Sequence, residues 1–236
     1  MPKLSLILPV LDEENIIEKV VADIISILTK IPLDYEIILV ENGSKDKTLE
    51  VIKKLEKKNK RIKVVITQKG YGSSVLKGLE AASGEYVSYM PSDGQIDNEI
   101  LPVLYKEIQT GKYDLVKIKR SNRENLIRLI RSKVFNILAR LIFPITVSDI
   151  NGSPRIFKKD KLSILDLRYK DSFIDTEFAV KASLLNWKIQ EIPMKNLERV
   201  GGKSTVSINT VFEFLHNLYN FRFSHELDSW KKKNLV

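Results

Sequence analysis

A carboxylate and an amide lie two residues apart after a short apolar and aromatic run in the middle of the chain. The run, residues 85–90, has the composition of a buried strand, and Pro91 ends its hydrogen-bonding ladder. Asp93 and Gln95 follow in a tight turn around Gly94. Two oxygen ligands at the end of a buried strand could hold a hard cation such as Mg²⁺ or Mn²⁺ against a diphosphate. The alternative is a turn in which Asp93 bonds only to nearby backbone.

The elements that would position this pair alternate along the first hundred residues. Apolar runs predict strands at 4–10, 35–40, 61–67 and 85–90, and helical spacing predicts helices beginning near residues 12, 47, 70 and 99. We expect Asp12 to open the first helix, because acidic residues favour a helix N-terminus. Strands and helices that alternate with short connections predict an α/β fold with a doubly wound, mostly parallel sheet.

Three loops after the predicted strands carry polar side chains, namely residues 9–13, 41–44 and 93–95. Such loops supply the ligand contacts in open α/β sheets. Glu41 could accept hydrogen bonds from a ribose or base, or be a solvated loop acid. The Gly70-Tyr71-Gly72 segment lacks the dinucleotide fingerprint and follows the third strand, so we interpret it as a close-packed helix start.

Composition limits the class of protein. The chain has 236 residues, 43% hydrophobic and 29% charged, which suits one large domain or a domain with a small appendage. It contains no cysteine, which excludes disulfides and thiolate metal sites. The net charge of +9 favours anionic partners. No apolar run approaches the roughly 20 residues that span a bilayer, so we expect a protein that is not integral to the membrane.

Basic and large apolar residues are interleaved between Lys117 and Phe143, where Glu124 is the only acid. A basic helix of this kind could lie in a membrane interface. Alternatively, it is a core helix whose arginines reach outward to solvent. Nucleic acid is disfavoured as a partner, because only Phe135 and Phe143 could stack on bases.

The end of the chain is also amphipathic. Residues 187–192 predict an edge strand that Pro193 ends. Residues 207–223 carry a broad apolar helical stripe that could dock on the domain, pair with another subunit or lie on a membrane. We expect residues 230–236 to be a loose basic end.

Four segments, in the same order and with similar spacing, resemble family-2 glycosyltransferases. They are Leu8 to Asn15, Val40 to Thr48, Gly70 to Gly78 and Pro91 to Gln95. Among that family the chain is most similar to polyprenyl-phosphate sugar transferases such as dolichyl-phosphate mannose synthases. The resemblance covers about the first 160 residues and continues more loosely to about residue 208.

The resemblance implies a GT-A fold that uses a GDP- or UDP-linked sugar and Mg²⁺ or Mn²⁺. The implied nucleotide-sugar pocket is lined by Pro9, Leu11, Glu13, Glu41 and Asp93. Asp93 and Gln95 match the later positions of the family's Asp-x-Asp-x-Gln metal motif, and Asp93 would also be catalytic. Pro91 replaces the first Asp of that motif, and the loss of one carboxylate weakens metal affinity.

In the lipid-phosphate transferases that the chain resembles, arginines receive the phosphate of the acceptor. The matching positions are Arg120 and Arg128, and Ser204 is a third candidate for this contact. The planar guanidinium suits the task because it meets phosphate oxygens in pairs. Asp149, in a segment resembling the family's Asp-x-x-Ser-Gly-Phe-Arg pattern, could orient the acceptor or nearby basic residues, or be a turn residue.

Residues 199–204 resemble the family's Arg-x-x-Gly-x-Ser loop, which closes over the diphosphate. Arg199 and Lys203 would then neutralise the leaving group and count as catalytic. The alternative is an ordinary glycine hinge with solvated charges.

Asp175 separates two enzyme hypotheses. A hydroxyl acceptor needs a base, and Asp175 lies where family members acting on hydroxyls keep one. A phosphate acceptor is already anionic, so Asp175 would then serve as a helix N-cap worth about 1 kcal/mol.

The sequence therefore predicts an inverting glycosyltransferase that moves a sugar from a nucleoside-diphosphate sugar to a polyprenyl phosphate, on the cytoplasmic face of a membrane. One alternative transfers to a sugar hydroxyl with Asp175 as base. Another, motivated by Pro91, is a non-catalytic homologue that binds nucleotide or membrane.

We expect residues 1–205 to form the transferase domain, with a nucleotide-sugar half to about residue 97 and an acceptor half from 98 to 205. Residues 206–236 would add a C-terminal helix and basic tail. A separate membrane-anchoring subunit is a possible partner.

Overall fold

A computed structural model describes residues 2–122, 126–195, 197 and 208–235, with side chains for all of these except 122, 126–133 and 208–212. The strands are β1 (Leu4–Val10), β2 (Tyr35–Glu41), β3 (Ile62–Ile66), β4 (Tyr86–Tyr89), β5 (Leu115–Asn122), β6 (Arg155–Lys158) and β7 (Ile189–Lys195). The helices are α1 (Ile17–Leu28), α2 (Thr48–Lys58), α3 (Tyr71–Ala81), α4 (Ile100–Gln109), α5 (Leu126–Ile142), α6 (Leu162–Leu165), α7 (Ile174–Leu184), α8 (Ile208–Phe223) and α9 (His225–Asn234).

The described strands form a seven-stranded sheet in the order β3-β2-β1-β4-β6-β5-β7. Every neighbouring pair is parallel except the two that β6 makes with β4 and β5. The ends of the other six strands therefore meet the start of β6 at one side of the sheet, which we call the carboxyl edge. It carries Glu41, Tyr89, Arg120 and Arg155. The predicted mostly parallel α/β fold is confirmed.

Helices cover both faces of the sheet because strand side chains alternate between the two faces. Leu6 and Leu8 of β1 pack with α1 and α4, whereas Ile7 packs with α3 and α7. Helix α3 begins very close to the backbone of the segment before α7. A Cβ at Gly72 would overlap the carbonyl oxygen of Tyr169. The prediction of a close-packed helix start is therefore confirmed.

The end of the chain is docked on the domain. Phe214, Leu218 and Phe221 of α8 are buried, which confirms the docking alternative for this helix. The predicted loose end is wrong for residues 230–235: Trp230 lies in α9, is buried, and donates an Nε1 hydrogen bond of 2.7 Å to the carbonyl of Ile164. Helices within the described ranges are all too short or too polar to span a bilayer. The proposed division at residue 205 stays a prediction.

Three local expectations are corrected. Asp12 does not open α1, which begins at Ile17; it adopts a φ of +53° and accepts a 2.7 Å hydrogen bond from the Lys45 N–H. A strand is predicted over residues 113–119, and β5 runs from Leu115 to Asn122, so residues 120–122 of the basic segment continue this strand rather than begin a helix. Pro193 lies inside β7 and does not end it, because an edge strand tolerates the missing N–H.

Strand β6 was not predicted. Its four residues, Arg155–Lys158, have a basic side chain at each end and show no apolar run. The strand forms because it is inserted between β4 and β5, so tertiary pairing rather than local pattern determines it.

Candidate active site

The loops after β1 and β2 are joined into one wall of the carboxyl edge. The Asn42 N–H donates to the Val10 carbonyl at 3.1 Å, and the Glu13 N–H donates to Thr48 Oγ1 at 2.7 Å. Glu41 is only 5% exposed and accepts a 2.5 Å hydrogen bond from the Ser44 N–H. This burial excludes a solvated loop acid at Glu41.

The structure brings the expected nucleotide-pocket residues together. Pro9, Leu11, Glu13 and Glu41 all lie at the ends of the adjacent, parallel strands β1 and β2 or in the loops directly after them.

The turn that carries Asp93 lies between the end of β1 and the segment after β7. Ser92 Oγ donates to the Pro9 carbonyl at 2.6 Å, and the Leu197 N–H donates to the Gln95 carbonyl at 2.9 Å. Within the turn, the Gln95 N–H donates to Asp93 Oδ1 at 3.2 Å. Residue 197 is therefore bonded directly to the candidate metal turn.

The donor atoms in this turn suit a cation that is shared with a substrate. Among the described residues, no group of three or more His, Cys, Asp or Glu side chains could hold a metal ion. Asp93 and Gln95 are partly buried and offer one carboxylate and one amide oxygen. Mg²⁺ is commonly held by one or two carboxylates together with substrate phosphates. These residues therefore fit a metal bound with a diphosphate rather than by protein alone.

On the acceptor side, Arg120 at the end of β5 is paired with Asp149. The guanidinium donates to the carboxylate through Nε at 2.8 Å and Nη2 at 2.7 Å, and the Arg120 N–H donates at 3.1 Å. Burial alone would raise the pKa of Asp149, but the hydrogen bonds and charge of Arg120 outweigh it and hold this pKa well below its usual range. The contact supports the hypothesis that Asp149 orients a basic residue.

Lys117 is not part of a basic surface. It is 1% exposed on β5, its Nζ donates to the main-chain carbonyl of Asp149, and it lies 3.8 Å from the Glu191 carboxylate. Burial, helped by the charge of Arg155, lowers the pKa of Lys117 to about 7, although Asp149, Glu191 and Asp175 oppose the shift.

Asp175 does not cap α7, which begins at Ile174; the Phe173 N–H is bonded by Asp171 at 2.7 Å instead. Asp175 is 6% exposed, and its Oδ1 accepts from Tyr89 Oη at 3.2 Å and pairs with Arg155 Nη2 at 3.1 Å. The carboxylate is therefore held in a buried ion pair with Arg155 at the carboxyl edge.

Four expected site residues lie outside the described side chains: Arg128, Arg199, Lys203 and Ser204. Sequence reasoning assigned no site role to Tyr89, Lys117, Arg155 or Glu191. Arg155 could have been identified from the sequence, because it matches the final Arg of the family's Asp-x-x-Ser-Gly-Phe-Arg pattern. The other three give no comparable signal, because only strand register places Lys117 beside Arg155 and Glu191.

Comparison with curated proteins finds relatives that cover nearly the whole chain. The undecaprenyl-phosphate 4-deoxy-4-formamido-L-arabinose transferase of Photorhabdus laumondii is 25% identical over 92% of this chain and 66% of its own length. The dolichol-phosphate mannosyltransferase of Pyrococcus furiosus is 28% identical over 99% of this chain and 68% of its own length. The chain thus spans about two thirds of these relatives.

Among solved structures, the glucosyl-3-phosphoglycerate synthase of Mycobacterium tuberculosis, in complex with Mn²⁺, UDP-glucose and phosphoglyceric acid, is similar in fold. The TM-score is 0.66 at 17% identity, covering 94% of this chain and 79% of the synthase. Residues 5–165 match the family described as Glycosyl transferase family 2. With its sheet order, its carboxyl-edge turn and this match over most of its length, the chain belongs to glycosyl transferase family 2.

Proposed function

We propose that this chain transfers a sugar from a GDP- or UDP-linked donor to a polyprenyl phosphate, with inversion at the anomeric carbon. The observation that carries the proposal is the position of the Asp93 turn, bonded to β1 on one side and to Leu197 on the other. The two curated relatives, whose names contain polyprenyl phosphates, support this choice of acceptor.

The nucleotide half would bind the donor. Pro9, Leu11, Glu13 and Glu41 would line the nucleoside pocket, and Asp93 with Gln95 would hold Mg²⁺ or Mn²⁺ on the diphosphate. When bound, the cation neutralises charge that develops on the departing nucleoside diphosphate. The similar synthase was solved with Mn²⁺ and UDP-glucose, which supports a divalent cation here.

The acceptor half would bind the lipid phosphate. An oxygen of the lipid phosphate forms the new bond to the anomeric carbon of the sugar. The bond from that carbon to the diphosphate oxygen breaks, and the nucleoside diphosphate leaves. The attacking phosphate is already anionic, so no base is needed. Arg120 lies at the same edge as Asp93, and its pair with Asp149 uses two of the five guanidinium N–H donors. Arg128 and Ser204 would add to this contact, and Arg199 and Lys203 would stabilise the leaving group.

The state of Asp175 supports a phosphate acceptor over a hydroxyl acceptor. A general base must come within hydrogen-bond reach of the proton that it removes. Asp175 is 6% exposed and is bonded to Tyr89 and Arg155. It is therefore suited to hold Arg155 in place rather than to meet an acceptor.

Exposed apolar side chains on α5 and α8 would bring the enzyme to its lipid substrate. Leu141 is 78% exposed on α5, and Tyr219 and Phe223 are 64% and 67% exposed on α8. The two helices are in contact: the ring centroids of Phe135 on α5 and Phe214 on α8 lie 3.7 Å apart. Because the chain carries a net charge of +9, this apolar surface fits a membrane with anionic lipid headgroups, and we place it on the cytoplasmic leaflet. A separate anchoring subunit stays a prediction.

A transfer assay tests the proposal. Purified protein is incubated with a panel of labelled GDP- and UDP-sugars and with polyprenyl phosphate in detergent, with and without Mn²⁺. We expect label in the lipid fraction from one donor, dependent on the cation. Nucleotide binding without lipid labelling by any donor would contradict the proposed acceptor.

A further inference from the structure

We propose that Lys117 and Glu191 are positioning residues, which orient Arg120 by clamping the backbone of Asp149. The inference rests on the proposed role of Arg120 at the acceptor phosphate. Neither residue would touch the substrate. Their effect would pass through the loop between α5 and β6.

Both polar groups of the Asp149 backbone are held by side chains from neighbouring strands. Lys117 Nζ, from β5, donates to the Asp149 carbonyl. The Glu191 carboxylate, from β7, accepts from the Asp149 N–H at 3.1 Å and from the Ser148 N–H at 2.7 Å. A residue fixed at its N–H and its carbonyl has little freedom to change the direction of its side chain.

The clamp is built into the sheet. Lys117 is in register with Glu191 across the β5–β7 pair and with Arg155 across the β5–β6 pair. The loop passes close to the ammonium only because residue 152 is glycine. A Cβ at Gly152 would lie 2.9 Å from Lys117 Nζ and would overlap the carbonyl oxygen of Ile118.

The clamped carboxylate then determines where Arg120 lies. Asp149 accepts from both the guanidinium and the backbone N–H of Arg120, so it fixes the side chain at its tip and at its base. Arg120 keeps 21% side-chain exposure, whereas Lys117 keeps 1%. The arrangement therefore transmits the position of a fully buried lysine to a partly exposed arginine at the carboxyl edge.

The test uses Lys117→Met and Glu191→Gln in the full chain, with two independent measurements. The first is the rate at which phenylglyoxal modifies Arg120, followed by peptide mass spectrometry, with Arg61 as internal reference. We expect Arg120 labelling to rise about fivefold or more in Lys117→Met and less in Glu191→Gln, because a loosened pair exposes the guanidinium. Lys181→Met removes an ammonium of similar burial elsewhere and should leave Arg120 labelling unchanged.

The second measurement is steady-state transfer. We expect KM for polyprenyl phosphate to rise about tenfold in Lys117→Met while KM for the nucleotide sugar stays within about twofold. General loss of structure would change both constants, so the split separates positioning from stability. If Lys117→Met does not fold, both measurements are made on Glu191→Gln, which keeps the shape of the side chain.

The outcomes distinguish this inference from the proposed function. Arg120 labelling within about twofold of wild type in every folded variant would overturn the positioning role, whatever the enzyme transfers. Increased labelling in an enzyme that transfers nothing to polyprenyl phosphate would support the clamp and contradict the proposed acceptor.

Discussion

Among the described residues of the nucleotide half, 2–97, Glu41 is the one charged residue that is buried, whereas the acceptor half buries six. These six are Lys117, Asp149, Arg155, Asp175, Glu177 and Lys181. Around the carboxyl edge, the nucleotide half joins its loops by single hydrogen bonds between side chains and backbone. The acceptor half instead uses the ion pairs Arg120–Asp149 and Arg155–Asp175, which are largely removed from water.

The difference has an energetic consequence. One ordinary hydrogen bond contributes about 1 kcal/mol, but removing one partner of a buried ion pair costs about 3–5 kcal/mol because a charge is left uncompensated. Substitutions in the nucleotide half should therefore change chemistry with little effect on folding. Substitutions in the acceptor half should change folding and geometry together.

The largest expected effect comes from breaking a buried pair. Asp175→Ala leaves Arg155 buried without its carboxylate, and we expect the free energy of unfolding to fall by about 3–5 kcal/mol. The matched change in the nucleotide half is Asp46→Ala, which removes the hydrogen bonds that this carboxylate accepts from the N–H groups of Thr48 and Glu14 and should cost about 1–2 kcal/mol. Urea unfolding at pH 7 measures both, and equal losses would contradict the distinction between the halves.

Asp93→Asn should affect activity rather than folding. Removing the carboxylate from the candidate metal turn should lower kcat about 10²–10³-fold, while the free energy of unfolding stays within about 0.5 kcal/mol of wild type. The control is Asp97→Asn, an exposed acid four residues further on, which should leave kcat unchanged. Wild-type turnover in Asp93→Asn would remove this residue from the metal site.

The exposed apolar surface of α5 and α8 should contribute to lipid binding. Leu141→Asp and Tyr219→Asp should each weaken binding to anionic vesicles about tenfold, because each replaces an apolar contact worth about 1.4 kcal/mol or more. Val103 on α4 is 48% exposed on another helix, so Val103→Asp is the matched control. Vesicle co-sedimentation measures all three, and a similar loss in the control would show that the effect is only one of added charge.

The most gradual predicted effect is a pH dependence of the free energy of unfolding that comes from Lys117. Below pH 7 this lysine is protonated in both states; above it, the folded protein releases the proton while the unfolded chain, with a pKa near 10.5, keeps it. Because the unfolded state then binds more protons, the free energy of unfolding should rise with pH between about 7 and 10, by about 1.4 kcal/mol per pH unit at most. Subtracting the curve of Lys117→Met isolates this residue, and a difference that is flat with pH would rule out the lowered pKa.

The two halves also differ in how far the sequence predicts them. The strands from Leu4 to Tyr89 are predicted to within a few residues, since each is an apolar run bounded by polar or turn residues. Glu41, Asp93 and Gln95 are found because they follow such runs directly.

The site of the acceptor half could not be predicted in the same way, because its charged residues are buried. Lys117 counts as surface charge in any pattern, and only its register against Arg155 and Glu191 shows otherwise. Asp175 has the pattern of an N-cap, yet α7 begins one residue before it and the carboxylate pairs with Arg155. The Arg155–Asp175 pair joins residues that are distant in sequence, so local periodicity cannot predict it.

The most direct test of the central claim compares two lipids that differ only in the phosphate. Wild-type enzyme receives the donor identified in the transfer assay, Mn²⁺, and either polyprenyl phosphate or the corresponding polyprenol. We predict that label enters the lipid only with the phosphate and that Asp175→Asn, assayed where it is folded, keeps this activity within about tenfold. Transfer to the alcohol, lost 10²-fold or more in Asp175→Asn, would contradict the account and make Asp175 the base.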